Sequence, residues 1–154
     1  MKLNLGCSDR HFPAPWVNVD MVPPADRIVD LREPWPWLDS SVEEIRAWDI
    51  IEHLPDKIHT MNEAWRALQP GGRFDIEVPT IRGAGAVCDP THVSLWSASD
   101  FEYYEKGNFA RERFRYSPYY GIRADFRILS LEQKNYPTKY DDVWKVRTIL
   151  EAVK

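Results

Sequence analysis

The stretch Lys2-Leu3-Asn4-Leu5-Gly6-Cys7-Ser8 decides the fold. Its first residues form a short β-compatible run that ends in a glycine. A glycine directly after a strand lets a ligand approach the backbone where any side chain would block it. A second run, Trp16–Asp20, ends in a carboxylate. In open α/β sheets ligands bind at the carboxyl ends of the strands, so the sequence predicts a site at these two strand ends.

The connection between these two strands is short. Only ten residues, 6–15, separate them. A crossover between parallel strands usually needs a dozen or more residues, most often a helix. The sequence therefore predicts that the first helix is reduced to one turn or missing.

Further along the chain, helix and strand signals alternate. Asp56–Leu68 carries apolar side chains at helical spacing, with Asp56 as candidate N-cap and Pro70-Gly71-Gly72 after it. Arg73–Val78 alternates apolar and acidic residues, the period of a strand with one face buried. Ser97–Asp100 resembles a capping box that opens a short helix. The remaining strands are predicted at Arg27–Leu31, Glu44–Trp48, Asp125–Glu132 and Val143–Val153, which makes seven in an α/β fold.

Composition narrows the class of protein. The 154 residues fit one domain spanning 1–154, and 44% of them are hydrophobic. No apolar run approaches the ~20 residues of a membrane span, and the start of the chain lacks a signal-peptide core. Two cysteines without metal-ligand spacing indicate reduced thiols, so we expect a cytoplasmic protein. The net charge of −4 argues against nucleic acid as partner, while the oligomeric state is left open.

Five segments occur in a characteristic order: Leu3–Ser8, Val17–Asp20, Asp30–Ile45, Ile51–Leu54 and Leu68–Gly72. Their order resembles the class I S-adenosylmethionine-dependent methyltransferase family, and the resemblance covers residues 2–79. The resemblance implies a Rossmann-like, mostly parallel seven-stranded sheet with flanking helices. It also implies S-adenosylmethionine as cofactor and methyl transfer to a small-molecule or sugar-like acceptor. A nicotinamide oxidoreductase is disfavoured because no Gly-x-Gly-x-x-Gly follows the first strand.

The resemblance also implies the cofactor contacts. Gly6 and the two residues after it would line the methionine part, Asp20 would bind the ribose hydroxyls, and Asp30 with Leu31 would contact adenine. The alternatives are an ordinary loop glycine at Gly6 and a turn-forming carboxylate at Asp20. Asn4 and Ser8 depart from the family, which usually has an acidic residue and a second glycine there. The predicted cofactor-binding residues are Asn4, Gly6, Cys7, Ser8, Asp20, Asp30, Leu31 and Trp48.

Candidate catalytic residues follow the fourth and fifth strands. Asp49 and His53 come directly after the fourth strand, and His92 lies past the fifth. Imidazole has an unperturbed pKa of ~6.5 and suits a base that removes a proton from the acceptor. The alternative for each histidine is packing or capping. Glu52, His53 and His92 have the donor atoms for a divalent cation if they converge, but spacing alone does not bring them together, and we predict no metal.

A basic, aromatic insertion at 106–127 precedes the sixth strand. Six Lys and Arg residues alternate there with Phe and Tyr. Such a mixture suits recognition of an anionic or planar acceptor, and the family places substrate-recognition elements here. The alternatives are a loop that packs on the sheet, or a nucleic-acid or partner surface of a non-catalytic cofactor-binding module. Another reaction that consumes S-adenosylmethionine is a third possibility.

Overall fold

The computed structural model describes residues 1–113, 117–139 and 142–154. Seven strands form one sheet in the order β3-β2-β1-β4-β5-β7-β6. β1 to β5 run parallel, and β7 is antiparallel to both of its neighbours. The predicted seven-stranded, mostly parallel Rossmann-like sheet is confirmed. The strands are β1 (Lys2–Leu5), β2 (Trp16–Asp20), β3 (Arg27–Ile28), β4 (Val42–Trp48), β5 (Leu68–Pro79), β6 (Phe126–Pro137) and β7 (Asp142–Ala152).

Helices are few and short. α1 (Lys57–Ala67) begins after Asp56, whose carboxylate accepts from the backbone N–H of His59, as predicted. α2 (Ala98–Glu102) begins with the predicted capping box. α3 (Phe109–Arg113) has five residues. Among residues 1–113, 117–139 and 142–154, no helix has the length and apolarity needed to cross a bilayer.

Several strands differ in length from their prediction. β6 runs five residues past the predicted end at Glu132, to Pro137, because it pairs with β7 that far. β3 covers only Arg27–Ile28 because it pairs with the last two residues of β2, Val19 and Asp20, where β2 ends. β5 begins earlier than predicted, at Leu68, because that residue already has an extended backbone at the end of α1. The helix thus ends before Pro70, and β5 follows it directly.

The sheet is covered by helices on one face. That face is apolar and packs against α1, whose Met61, Ala64 and Ala67 are fully buried. Trp35 is buried in the same core. The opposite face carries charged side chains that pair across strands, at 2.8 to 3.2 Å: Lys2 with Glu44, Lys145 with Glu77, and Arg147 with Asp75.

A hydrogen-bond network replaces the missing first helix. Residues 6–15 contain no helix, as predicted. Asn4 donates its side-chain amide to the carbonyl of Arg10 and to Asn18 Oδ1, at 2.8 and 3.0 Å. Asn18 in turn accepts from Phe12 N–H and donates to the Phe12 carbonyl. The two asparagines therefore hold the β1–β2 connection across the polar face, where Phe12 packs on the Arg46 guanidinium.

We expect Asn18→Ala to lower the free energy of unfolding by about 1–3 kcal/mol, because it leaves buried partners without hydrogen bonds. Denaturant unfolding measures this change. Gln133→Ala, which removes an exposed amide on β6, is the matched control. Equal stabilities of the two variants would contradict a structural role for the network.

Candidate functional site

A cavity of about 460 Å³ opens at the carboxyl ends of β1 and β2. Its volume lies within the range of small-molecule sites. The wall brings together five residues predicted from the sequence: Gly6, Asp20, Asp30, Leu31 and His53. The other lining residues are Met21, Val29, Arg32, Ile50, Leu54, Thr91 and Val93.

The position of Gly6 requires glycine, both for its backbone conformation and for its close contact with Ile50. Its φ of 61° lies in the left-handed region, which disfavours any residue with a Cβ. A Cβ added here would lie 2.6 Å from Ile50 Cβ, well inside contact distance. The glycine thus lets the β1 terminus pack closely on Ile50 while both residues line the cavity.

Asp20 ends β2 with its carboxylate bound to two backbone N–H groups. Oδ2 accepts from Ser8 at 2.9 Å, and Oδ1 accepts from Met21 at 2.7 Å. These bonds link the first two strand ends. Each carboxylate oxygen retains acceptor capacity, because an ionised carboxylate offers about four lone-pair sites.

Asp30 and Leu31 lie on the wall that β3 leads into. Arg32 donates to both oxygens of Asp30, at 2.6 to 3.1 Å, and holds the pKa of that carboxyl at about 2. Leu31 is 5% exposed, and its carbonyl accepts from the Trp35 indole. The charged pair and the buried leucine therefore give this wall one polar and one apolar part.

Six other predicted residues, among them His92, do not line the cavity. Asn4 is committed to the β1–β2 network, and Cys7 is buried with its thiol 3.8 Å from His11 Nε2. Burial raises the pKa of the Cys7 thiol. Ser8 contributes its backbone N–H to Asp20.

Trp48 and Asp49 face the polar side of the sheet. The Trp48 ring lies between two guanidinium groups, 3.2 Å from Arg46 and 4.4 Å from Arg147. Both oxygens of Asp49 accept from the Lys145 ammonium, at 2.7 and 2.8 Å. The spacing that predicted them identifies the end of β4 but not the direction in which each side chain points.

His53 stands at the cavity wall with its ring oriented by Thr91. Nδ1 lies 3.1 Å from the Thr91 carbonyl and 3.0 Å from the Thr91 hydroxyl oxygen. That hydroxyl donates to Asp89 Oδ1 at 2.6 Å, so it can only accept from the ring. We assign the ring proton to Nδ1 on this pattern, which leaves the lone pair on Nε2.

His92 and Glu52 lie directly beside His53. The two imidazole rings meet edge to face with centroids 4.8 Å apart. His92 Nε2 lies 3.8 Å from Glu52 Oε1, and the Glu52 side chain is 2% exposed. Burial raises the pKa of this carboxyl to about 7. Three residues that the sequence placed on separate segments are therefore neighbours.

The basic insertion lies away from the cavity. Arg111 donates to the Ala124 carbonyl, and Lys106 pairs with Asp125. None of its described residues lines the cavity, and Phe114, Arg115 and Tyr116 lie outside the described residues. In its described part, Lys106 and Arg111 contact the residues just before β6, while Phe109, Tyr119 and Tyr120 are exposed.

Sequence reasoning missed the apolar wall and the role of Glu52. Val29, Ile50 and Val93 carry no recognisable motif, since isolated apolar residues occur throughout the chain. The sequence indicates Glu52 as a metal ligand only on the condition that it converges with His53 and His92. The one available signal was its position next to His53, within the turn that follows β4.

Solved structures of methyltransferases are similar in fold to this chain. A structure of an S-adenosylmethionine-dependent methyltransferase from Methanosarcina mazei superposes with a TM-score of 0.67 over 99% of this chain and 92% of that one, at 11% identity. The chain has the class I methyltransferase fold. The structure of the trans-methyltransferase CalH in complex with S-adenosylhomocysteine also superposes on this chain, with a TM-score of 0.63 at 10% identity. The superposition covers 99% of this chain and 51% of that one.

The same fold is found in a protein with another reaction. The [4+2]-cyclase SpnF superposes with a TM-score of 0.67 at 14% identity, covering 99% of this chain and 74% of that one. No protein-family model and no curated protein sequence matches the chain. The methyltransferase fold therefore leaves the reaction to be argued from the site.

Proposed function

We propose that this chain binds S-adenosylmethionine in the cavity and transfers its methyl group to a small-molecule or sugar-like acceptor. The observation that carries the proposal is the convergence of Gly6 and Asp20, from two strand ends, on one cavity whose far wall holds Asp30 and Leu31. This arrangement suits a ligand with a ribose diol beside one strand end and a planar base against an apolar wall.

The cofactor contacts follow from the position of each group. Gly6 leaves room for the methionine part beside the end of β1. The Asp20 carboxylate accepts hydrogen bonds from the ribose hydroxyls, in addition to the two backbone N–H groups it already holds. Leu31 covers the adenine ring, and the Asp30–Arg32 pair lies at its polar edge.

Methyl transfer needs alignment and removal of one proton. A lone pair of the acceptor oxygen or nitrogen forms a bond to the methyl carbon, while the carbon–sulfur bond breaks and its electrons stay on sulfur. The sulfonium becomes the neutral thioether of S-adenosylhomocysteine. His53, and His92 behind it, are placed beside the cavity to assist the loss of the acceptor's proton.

We expect S-adenosylhomocysteine to bind with a dissociation constant in the micromolar range, about −8 kcal/mol at 1 μM. Isothermal titration calorimetry measures it directly, and NAD serves as the control nucleotide that the site should reject. Absence of heat and of any thermal shift at millimolar S-adenosylhomocysteine would contradict the proposed cofactor.

A second candidate function is cofactor binding without methyl transfer, favoured by the cyclase that shares the fold. Accumulation of S-adenosylhomocysteine during incubation with an acceptor library separates the two, because only methyl transfer produces it. A nucleic-acid module is disfavoured because acidic partners neutralise cations of the insertion and its flank, Lys106 with Asp125 and Arg127 with Glu151.

A further inference from the structure

We propose that Glu52, His53 and His92 form a binding site for one divalent transition-metal ion at the wall of the cofactor cavity. The proposal revises the expectation from sequence that the protein uses no metal. It deepens the proposed function by naming what the cluster does, and in that respect rests on it. Metal binding itself is measurable without cofactor or acceptor.

The three side chains have the right donors at a suitable separation. Each offers one ligand atom, and the three atoms lie within 4.8 Å of one another. Ligands at ~2.1 Å from a tetrahedral ion are roughly 3.4 Å apart, so small side-chain rotations bring them into range. The His92 Nε2 to Glu52 Oε1 distance of 3.8 Å is already close to that value.

Glu52 supplies an independent indication of a missing ligand. It is 2% exposed, and its Oε2 has no hydrogen-bond partner among the described residues. A buried polar atom without a partner is costly and rare in folded proteins. A cation between the carboxylate and the two imidazoles would satisfy this oxygen if Glu52 bound it through both oxygens or turned Oε2 toward it.

The segments that carry the ligands are held together by the backbone. Val93 and Ser94 both donate their N–H groups to the Glu52 carbonyl, at 2.9 and 3.0 Å. His53 Nδ1 faces the Thr91 carbonyl, and His92 Nδ1 lies 3.4 Å from the Ala86 carbonyl. Ring N–H groups that donate to carbonyls are the arrangement that orients metal-ligating histidines.

The donor set indicates the class of ion. Two imidazoles and one carboxylate suit Zn²⁺ and its first-row neighbours, whereas Mg²⁺ and Ca²⁺ prefer oxygen ligands. Three protein ligands leave a position open, as in catalytic zinc sites. Because His53 lines the cavity, that position is available to an oxygen of the acceptor, whose pKa the cation would lower. With the metal bound, His53 and His92 would assist proton loss as ligands of that cation and not as free bases.

The test is titration of chelator-treated protein with ZnCl₂ in a calorimeter and with CoCl₂ by visible absorption, without cofactor. We expect one ion per chain and micromolar or tighter affinity. Glu52→Gln and His92→Ala should each weaken binding at least tenfold. Glu52→Gln is nearly isosteric, and circular dichroism verifies that both variants fold; if His92→Ala does not, Glu52→Gln decides.

Two control variants make the result specific. His11→Ala removes the imidazole beside Cys7, a pair that could itself attract a soft metal, and His59→Ala removes the imidazole on α1. Neither should change the affinity. Zinc binding that survives Glu52→Gln but is lost in His11→Ala would overturn the proposal, as would no saturable binding at millimolar metal. S-adenosylhomocysteine binding to the metal-free protein is measured separately, so failure of either proposal is distinguishable.

Discussion

Replacing His53 by alanine is expected to lower the rate of methyl transfer about a hundredfold. The residue lines the cavity beside the expected acceptor, and its loss removes the group that assists proton release. The rate is measured as S-adenosylhomocysteine formed in the presence of an acceptor identified by screening. Affinity for S-adenosylhomocysteine should change little, since the proposed adenosine contacts are made by other residues.

His59→Ala is the matched control for this substitution. His59 lies in α1, and its ring contacts the Glu33 carbonyl instead of the cavity. It should retain the parental rate. If His53→Ala keeps its rate but loses stability, the histidine has a packing role, and the cluster does not take part in the chemistry.

Replacing Asp20 by alanine is expected to weaken binding of S-adenosylhomocysteine ten- to a hundredfold, about 1.5–3 kcal/mol. The reason is loss of the carboxylate that accepts from the ribose hydroxyls. Calorimetry measures the affinity, and denaturant unfolding measures the stability of the same variant. Both are needed because Asp20 also holds the backbone N–H of Ser8.

Asp9→Ala tests whether charge alone explains the effect. Asp9 is exposed in the connection after β1, so the substitution makes the same change in net charge without touching the cavity. It should bind like the parent. A variant of Asp20 that loses stability but binds as tightly as the parent would identify Asp20 as a turn residue, which is the alternative drawn from the sequence.

The sequence indicated that one face of the sheet is polar, but not which side chains pair on it. Asp75 and Glu77 alternate with buried apolar residues in β5, which predicted a strand with one buried face. A parallel sheet covered on both faces has nearly continuous apolar strands. The acidic positions therefore agree with a sheet that carries helices on one face. On the other face, charged pairs and the Asn4–Asn18 network take the place of a second layer.

Part of the cavity wall was predictable from the sequence, and the meeting of Glu52, His53 and His92 was not. Gly6, Asp20 and Asp30 occupy strand ends or the residues just after them, so local pattern and resemblance were sufficient. Trp48 and Asp49 were predicted by the same logic, yet they face away from the cavity. Strand ends are visible in a sequence, but the direction of the last side chains depends on the neighbours with which they pair.

By itself, the sequence determined the seven strands, the single long helix with its cap, and the absence of a first helix. These features depend on local periodicity, turn chemistry and chain length, all of which act over a few residues. Only the tertiary structure decided that Glu52 and His53 meet His92, and that Asn4 binds the β1–β2 connection. Those contacts join residues far apart in the chain, and their geometry is set by the packing of whole segments.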